Sequence, residues 1–176
     1  MRIEYYHASK YGNGATVAEE FRKQMADKGV TVNINHVTKA NPKDIPSADM
    51  YIFSSPGRFG KPIGDMQHFL KKAQLTPGIK YAVLATEFAP EPDNNKRIPS
   101  TEEIGKCQRV IPIMNEMLQK KGLVKIAETK IFVTGLKGPL EYDWEKVVGE
   151  FIAQISIPNR SPLDENPTVL QAVSVG

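Results

Sequence analysis

The chain has 176 residues, 40% of them hydrophobic and 24% charged, which allows one domain around a full hydrophobic core and excludes a disordered or collagen-like polymer. Its 23 basic and 20 acidic side chains leave a formal net charge of +3; with no basic run and no aromatic RNA-binding motif, nucleic acid is not an expected partner, though the excess can steer a protein partner. No apolar run approaches the ~20 residues of a membrane span, no signal-peptide h-region follows Met1, and the single Cys107 excludes an internal disulfide framework or a cysteine-based metal site, so a reducing cytoplasm is the expected setting.

Residues 2–8 read as a buried strand. A helix is expected over 15–28, where Val17, Phe21 and Met25 recur at i, i+4, i+8 and Gly29 follows at the left-handed position that ends helices. Thr31–Val37 alternates like a strand, and Asn41 to Pro46 reads as a loop or short helix. Met50–Ser54 is a third strand, rich in β-formers. Residues 64–73 are helical, with Met66, Phe69, Leu70 and Ala73 on one face, and Tyr81–Ala85 is a fourth strand. The polar stretch Glu87 to Pro99 is too long for a bare connection. Ser100 and Glu103 then make a capping-box signature, followed by Ile104, Cys107, Ile111, Met114 and Leu118 at helical spacing, with Pro112 expected to kink or split the helix. Cys107 is expected in the core as part of that apolar face. Residues 124–134 supply a fifth strand and 143–155 a last helix, with Val147, Val148, Phe151 and Ile155 inward and Trp144 packed on the sheet.

Strands separated by helices imply βαβ crossovers, hence a doubly wound, five-stranded parallel sheet of order 2-1-3-4-5 with helices on both faces. In such a fold the ligand crevice lies at the switch point between the first and third strands. The domain is expected to span 1–157. The tail, 158–176, carries Pro158, Pro162 and Pro167 and ends in Val169-Leu170-Gln171-Ala172-Val173. A homodimerisation arm and a disordered terminus are both open readings of it.

After the first strand comes Ser9-Lys10-Tyr11-Gly12-Asn13-Gly14, leading into a helix. Glycines that permit positive φ, backbone amides, the Ser9 and Thr16 hydroxyls and a helix N-terminus suit a phosphate monoester. A plain strand-to-helix turn fits the local pattern equally well. The Gly-Lys-Ser/Thr end of a P-loop is missing, as is the G-x-G-x-x-G of a dinucleotide site, which favours a mononucleotide.

Ser9-Lys10-Tyr11-Gly12-Asn13 resembles the phosphate loop of the flavodoxin-like family, in which hydroxyls and backbone amides bind the 5′-phosphate of FMN. Its Tyr11 is closer to the Ser-x-Tyr-Gly-His/Asn version of the flavodoxin-like quinone oxidoreductases. Ser55-Pro56-Gly57-Arg58-Phe59-Gly60 is similar to the Pro-Thr-Arg-Phe-Gly loop with which that subfamily cradles the isoalloxazine ring, and Phe69-Leu70 follows at the expected distance. The resemblance covers residues 1 to about 155.

The resemblance implies FMN as cofactor, with Ser9, Tyr11, Gly12, Asn13 and Gly14 at the phosphate and Lys10 at the variable position, where a plainly solvated lysine is the other reading. Pro56, Gly57, Arg58, Phe59 and Gly60 would line the ring. Phe59 is either a ring-stacking side chain or a buried loop anchor; Arg58 lies along the pyrimidine edge or forms a surface salt bridge. Gly57 stands where the quinone reductases have Thr and would ease a peptide turn toward the flavin. Thr86, Glu87 and Phe88 form the third loop, on the pyrimidine side, where an acidic Glu87 would lower the potential of the reduced anion. The chain departs from the quinone reductases in two ways: Phe88-Ala89-Pro90-Glu91-Pro92 replaces a Gly-Gly segment, and His7, His36 and His68 all precede the position of their ring-side histidine. The expected function is therefore electron transfer with protein redox partners. The alternatives are NAD(P)H-dependent reduction of a quinone-type acceptor, toward which the basic pI leans, and a flavin-free interaction module.

Overall fold

The computed structural model describes residues 1–156. Residues 157–176 lie outside them, and with them the reading of the tail as an interaction arm. In chain order the elements are β1 (Arg2–His7), α1 (Asn13–Ala26), β2 (Thr31–His36), β3 (Met50–Arg58), β4 (Lys61–Pro62), α2 (Gly64–Lys72), β5 (Lys80–Phe88), α3 (Thr101–Cys107), α4 (Val110–Lys120), β6 (Val124–Val133) and α5 (Trp144–Ser156).

The main sheet has the order β2-β1-β3-β5-β6, and each of these neighbouring pairs is parallel. This is the expected 2-1-3-4-5 order, because β4 is a two-residue antiparallel partner of β3 that stands off the main path. Strands covered on both faces read as continuous apolar runs; accordingly Ile3 to His7 are all buried, as are Met50 to Ser55.

Alternation along these strands divides the core into two halves. One face sends Ile3, Tyr5, Ile52 and Leu84 against Val17, Phe21 and Met25 of α1 and Phe151 and Ile152 of α5. The other sends Tyr6, Phe53, Tyr81 and Val83 against Met66, Phe69 and Leu70 of α2 and Val110, Met114 and Leu118 of α4. Trp144 is partly buried against the first half. No helix among the described residues is long and apolar enough to cross a membrane.

Three local expectations change. Both β3 and β5 run past their apolar stretches, so that Ser55–Arg58 and Thr86–Phe88, read as loops, extend their strands. The helix after the Ser100–Glu103 capping box divides at Gln108 and Arg109, and Pro112 falls at the third residue of α4, where its missing N–H would have had no intrahelical partner. Cys107 is exposed rather than in the core. The division shifts the phase of the apolar stripe, so Met114 and Leu118 stay inward while α3 buries no residue.

Phe21 is the hinge of the first half-core, edge-on to Tyr5 with ring centroids 5.4 Å apart and 5.9 Å from Phe151. Phe21→Ala should cost about 3–5 kcal/mol, read as a lower urea midpoint at unchanged m-value.

Candidate functional site

β1 and β3 lie side by side, yet their connections leave in opposite directions, to β2 on one side and β5 on the other. The crevice this opens at the carboxyl ends of the strands holds a cavity of about 800 Å³, within the range of small-molecule sites. It is lined by every sequence-predicted site residue except Gly12 and Thr16, together with Ile63, Cys107, Gln108, Val133 and Leu136, which the sequence reading missed.

The first wall is the turn from β1 into α1. Gly12 is the N-cap of α1, at φ 95°, with no side-chain cap on the helix. Its amide donates to Ser9 Oγ at 3.1 Å and its carbonyl accepts from the Thr16 amide and hydroxyl, so Thr16 is used inside the turn while the Ser9 hydroxyl keeps its own proton to donate. The amides of Lys10, Tyr11, Asn13, Gly14 and Ala15 have no acceptor among the described residues. Gly14 has little room, since a Cβ there would stand 3.2 Å from Ser9 Cβ. Asn13 packs its amide against Gly138 in the loop after β6.

Two histidines hold the start of this turn. The Ser9 amide donates to His7 Nδ1 at 3.3 Å, and His36 Nε2 lies 2.9 Å from the Ser9 carbonyl, to which it must donate. His36 Nδ1 in turn accepts from the Thr38 amide. The rings meet edge-on with centroids 4.9 Å apart. Burial first, and then the neighbouring His36, push the His7 pKa down to about 4, against a weaker upward pull from Glu19. His7 is thus a neutral, hydrogen-bonded structural side chain beneath the turn.

The second wall is the ribbon of β3 and β4, in which Gly57 pairs with Pro62 and Arg58 with Lys61. The turn between them places Phe59 at φ 52° and Gly60 at φ 74°, the doubly left-handed geometry of tight hairpins. Gly60 admits no side chain at all: a Cβ would lie 1.8 Å from the Cys107 carbonyl oxygen. Its own carbonyl accepts from the Arg109 amide at 2.6 Å, so the α3–α4 junction is bolted to the turn. Phe59 is 92% exposed, which overturns the buried-anchor reading. Arg58 makes no ion pair among the described residues; its guanidinium lies 5.8 Å from the Phe59 ring centroid.

The third wall is the end of β5. Thr86 is buried and Phe88 half exposed. Glu87 is buried, its Oε2 3.0 Å from Lys130 Nζ on β6. Lys130 also donates to Gln108 Oε1 at 2.9 Å, and Gln108 donates to the Phe88 carbonyl at 2.8 Å. Burial pushes the Glu87 carboxyl up and Lys130 pulls it back. Gly57 has its cause here, because a Cβ would meet Glu87 Cγ and Oε1 at 2.9 Å. Lys130 was visible only as a charge in a mixed strand, and Cys107 and Gln108 were hidden by reading α3 and α4 as one helix.

Removing Lys130 strands the buried carboxylate. Lys130→Met should destabilise toward the lower end of the roughly 3–5 kcal/mol seen when a buried pair is broken, since Lys130 itself is partly exposed. A carboxyl with a raised folded-state pKa loses stability as pH rises, so the deficit in melting temperature should shrink as pH is lowered into the acid range. His7 works in the opposite sense. Its lowered pKa means that the contribution of the neutral ring is complete above about pH 6.5 and is lost as pH falls toward about 4. Thermal melts across that window should therefore drop more for the wild type than for His7→Asn.

No protein-family model matches the chain, and no curated protein matches its sequence. Solved structures do match. Oxidised flavodoxin 1 from Bacillus cereus superposes with a TM-score of 0.64 at 16% identity, over 88% of this chain and 96% of that one. A flavodoxin from Streptococcus pneumoniae TIGR4 gives 0.64 at 18% identity, over 88% and 97%. Rubredoxin oxygen:oxidoreductase from Desulfovibrio gigas gives 0.58 at 14% identity, over 88% of this chain but 37% of that one. Strand order, crossovers and these superpositions agree: the chain has a flavodoxin-like fold.

Proposed function

We propose that this protein binds one FMN in the cavity at the β1–β3 switch point and carries electrons between redox proteins. The observation that carries the reading is the run of amides at Lys10, Tyr11, Asn13, Gly14 and Ala15 without a protein acceptor. Beside them are the Ser9 hydroxyl and the positive end of the α1 dipole. Gly14 is buried and Asn13 and Ala15 half-buried, while Lys10 and Tyr11 are exposed; an amide withdrawn from water needs a partner, and a terminal phosphate supplies acceptor oxygens and negative charge together.

The residues present fit the rest of FMN. The space over Gly12 is open, with no atom within 4 Å of a Cβ placed there. The other walls offer the flat surface of Gly57, the Pro56 ring and the apolar bodies of Phe59 and Phe88, which suit a planar heterocycle. When bound, FMN supplies the one- and two-electron chemistry of its ring. The chain's own work is to hold the phosphate at the α1 N-terminus, to fix the ring between the β3–β4 ribbon and the end of β5, and to keep water from its inner side. Because Lys130 compensates Glu87, that carboxylate adds less negative field at the ring than an unpaired one would.

Purified protein should be yellow, and chromatography of the released flavin should give FMN and no FAD. Gly12→Val forces a β-branched residue to φ 95° and should keep the far-ultraviolet dichroism while weakening FMN binding at least about tenfold. Colourless protein that takes up no added FMN, or a folded Gly12→Val with unchanged affinity, would overturn the reading. Rapid bleaching by NADPH alone would replace the carrier with a nicotinamide-dependent reductase at the same site.

A further inference from the structure

We infer that the mouth of this cavity is the docking face for an acidic electron-transfer protein. The inference rests on the carrier reading and adds the charge and kind of the partner. Among the residues lining the cavity the charged ones are Lys10, Arg58 and Glu87. Glu87 is buried and paired with Lys130, so the exposed charges of the lining are both positive. Lys137 adds a third: its Nζ is 6.0 Å from the Tyr11 ring centroid, with Lys10 Nζ at 5.8 Å. Lys61, opposite Arg58 on the ribbon, is a fourth.

None of these four cations makes an ion pair among the described residues, so no carboxylate within salt-bridge distance neutralises them. Positive charge is thus left uncompensated at the opening, where it steers an anionic reactant and fixes its register.

The same rim exposes large apolar side chains: Tyr11 at 45%, Phe59 at 92%, Phe88 at 47% and Leu136 at 63%. Phe59 is held in a left-handed conformation at the tip of its turn, a strained placement that presents it outward. Aromatic side chains with arginine, ringed by charge, are the composition of protein interfaces. FMN would answer Lys10 and Arg58, which line the cavity, whereas Lys61 and Lys137 stand outside that lining; a protein with an acidic, partly apolar face answers this outer pair.

The test uses the full chain, isotopically labelled, with an acidic [2Fe–2S] ferredoxin as probe, a basic c-type cytochrome as the opposite-charge control, and phosphatidylserine vesicles as the membrane control. Ferredoxin should shift resonances of Tyr11, Phe59 and Leu136 at about 20 mM salt and bind at least about tenfold more weakly near 300 mM. The double variant Lys61→Glu/Lys137→Glu should lose about tenfold in ferredoxin affinity while its FMN affinity stays unchanged. Salt-independent binding, indifference to the charge reversal, preference for the cytochrome, or adsorption to the vesicles in place of ferredoxin would each overturn the proposal. Binding is read with or without flavin, so an FMN-loaded chain that ignores ferredoxin sinks this inference alone. A chain that takes up no added FMN yet binds ferredoxin at this face keeps the docking surface and sinks the carrier reading.

Discussion

The covering of β3 on both faces sets the terms for everything else in the molecule. It lies between β1 and β5 and is buried from Met50 through Ser55, with α1 and α5 on one side and α2 and α4 on the other. A parallel strand so enclosed can present chemistry only at its ends. The side chains that touch solvent and a ligand are therefore gathered at the carboxyl edge. There the chain emerges as the turn after β1, the β3–β4 ribbon and the end of β5. Parallel pairing places these three segments side by side, although they are about forty and thirty residues apart in sequence, a separation characteristic of crossover connections.

Charge is handled in two different ways across this edge. Inside it, Glu87 and Lys130 sit in contact and are tied through Gln108 to the backbone of Phe88, so a carboxylate that would otherwise be intolerable at that depth is held. Burial and the neighbouring His36 hold His7 neutral beneath Ser9, and both rings hydrogen-bond to the start of the turn. At the rim, cations are left to solvent.

The parts legible in the sequence were those governed by local rules. The Gly12–Asn13–Gly14 turn could be read because a left-handed glycine at a helix start leaves its mark in composition, and the Ser100–Glu103 cap because both reciprocal bonds follow from residue type and spacing. The apolar periods of α1 and α2 placed Phe21, Met66 and Phe69 inward for the same reason. What escaped was decided by distant neighbours. The extension of β3 through Gly57 and Arg58 depends on Pro62 and Lys61 folding back to pair with them. Cys107 reads as core only if its helix continues, and the helix stops because Arg109 spends its amide on Gly60. Glu87 gave no hint of Lys130, forty-three positions later, since the contact is made by strand register and not by sequence proximity.

The connection from Ala89 to Ser100 is pinned at both ends. The Ala89 amide donates to the Val133 carbonyl at 2.9 Å, and Ser100 is locked into its cap with Glu103. Between these points the chain turns on itself through Asp93 and Arg97. Lengthening a segment fixed in this way costs only about 0.6 kcal/mol for each doubling of its length, and the sheet below would not register the change. Descendants of this chain can acquire a new outer lip by insertion here while inheriting the cavity floor intact.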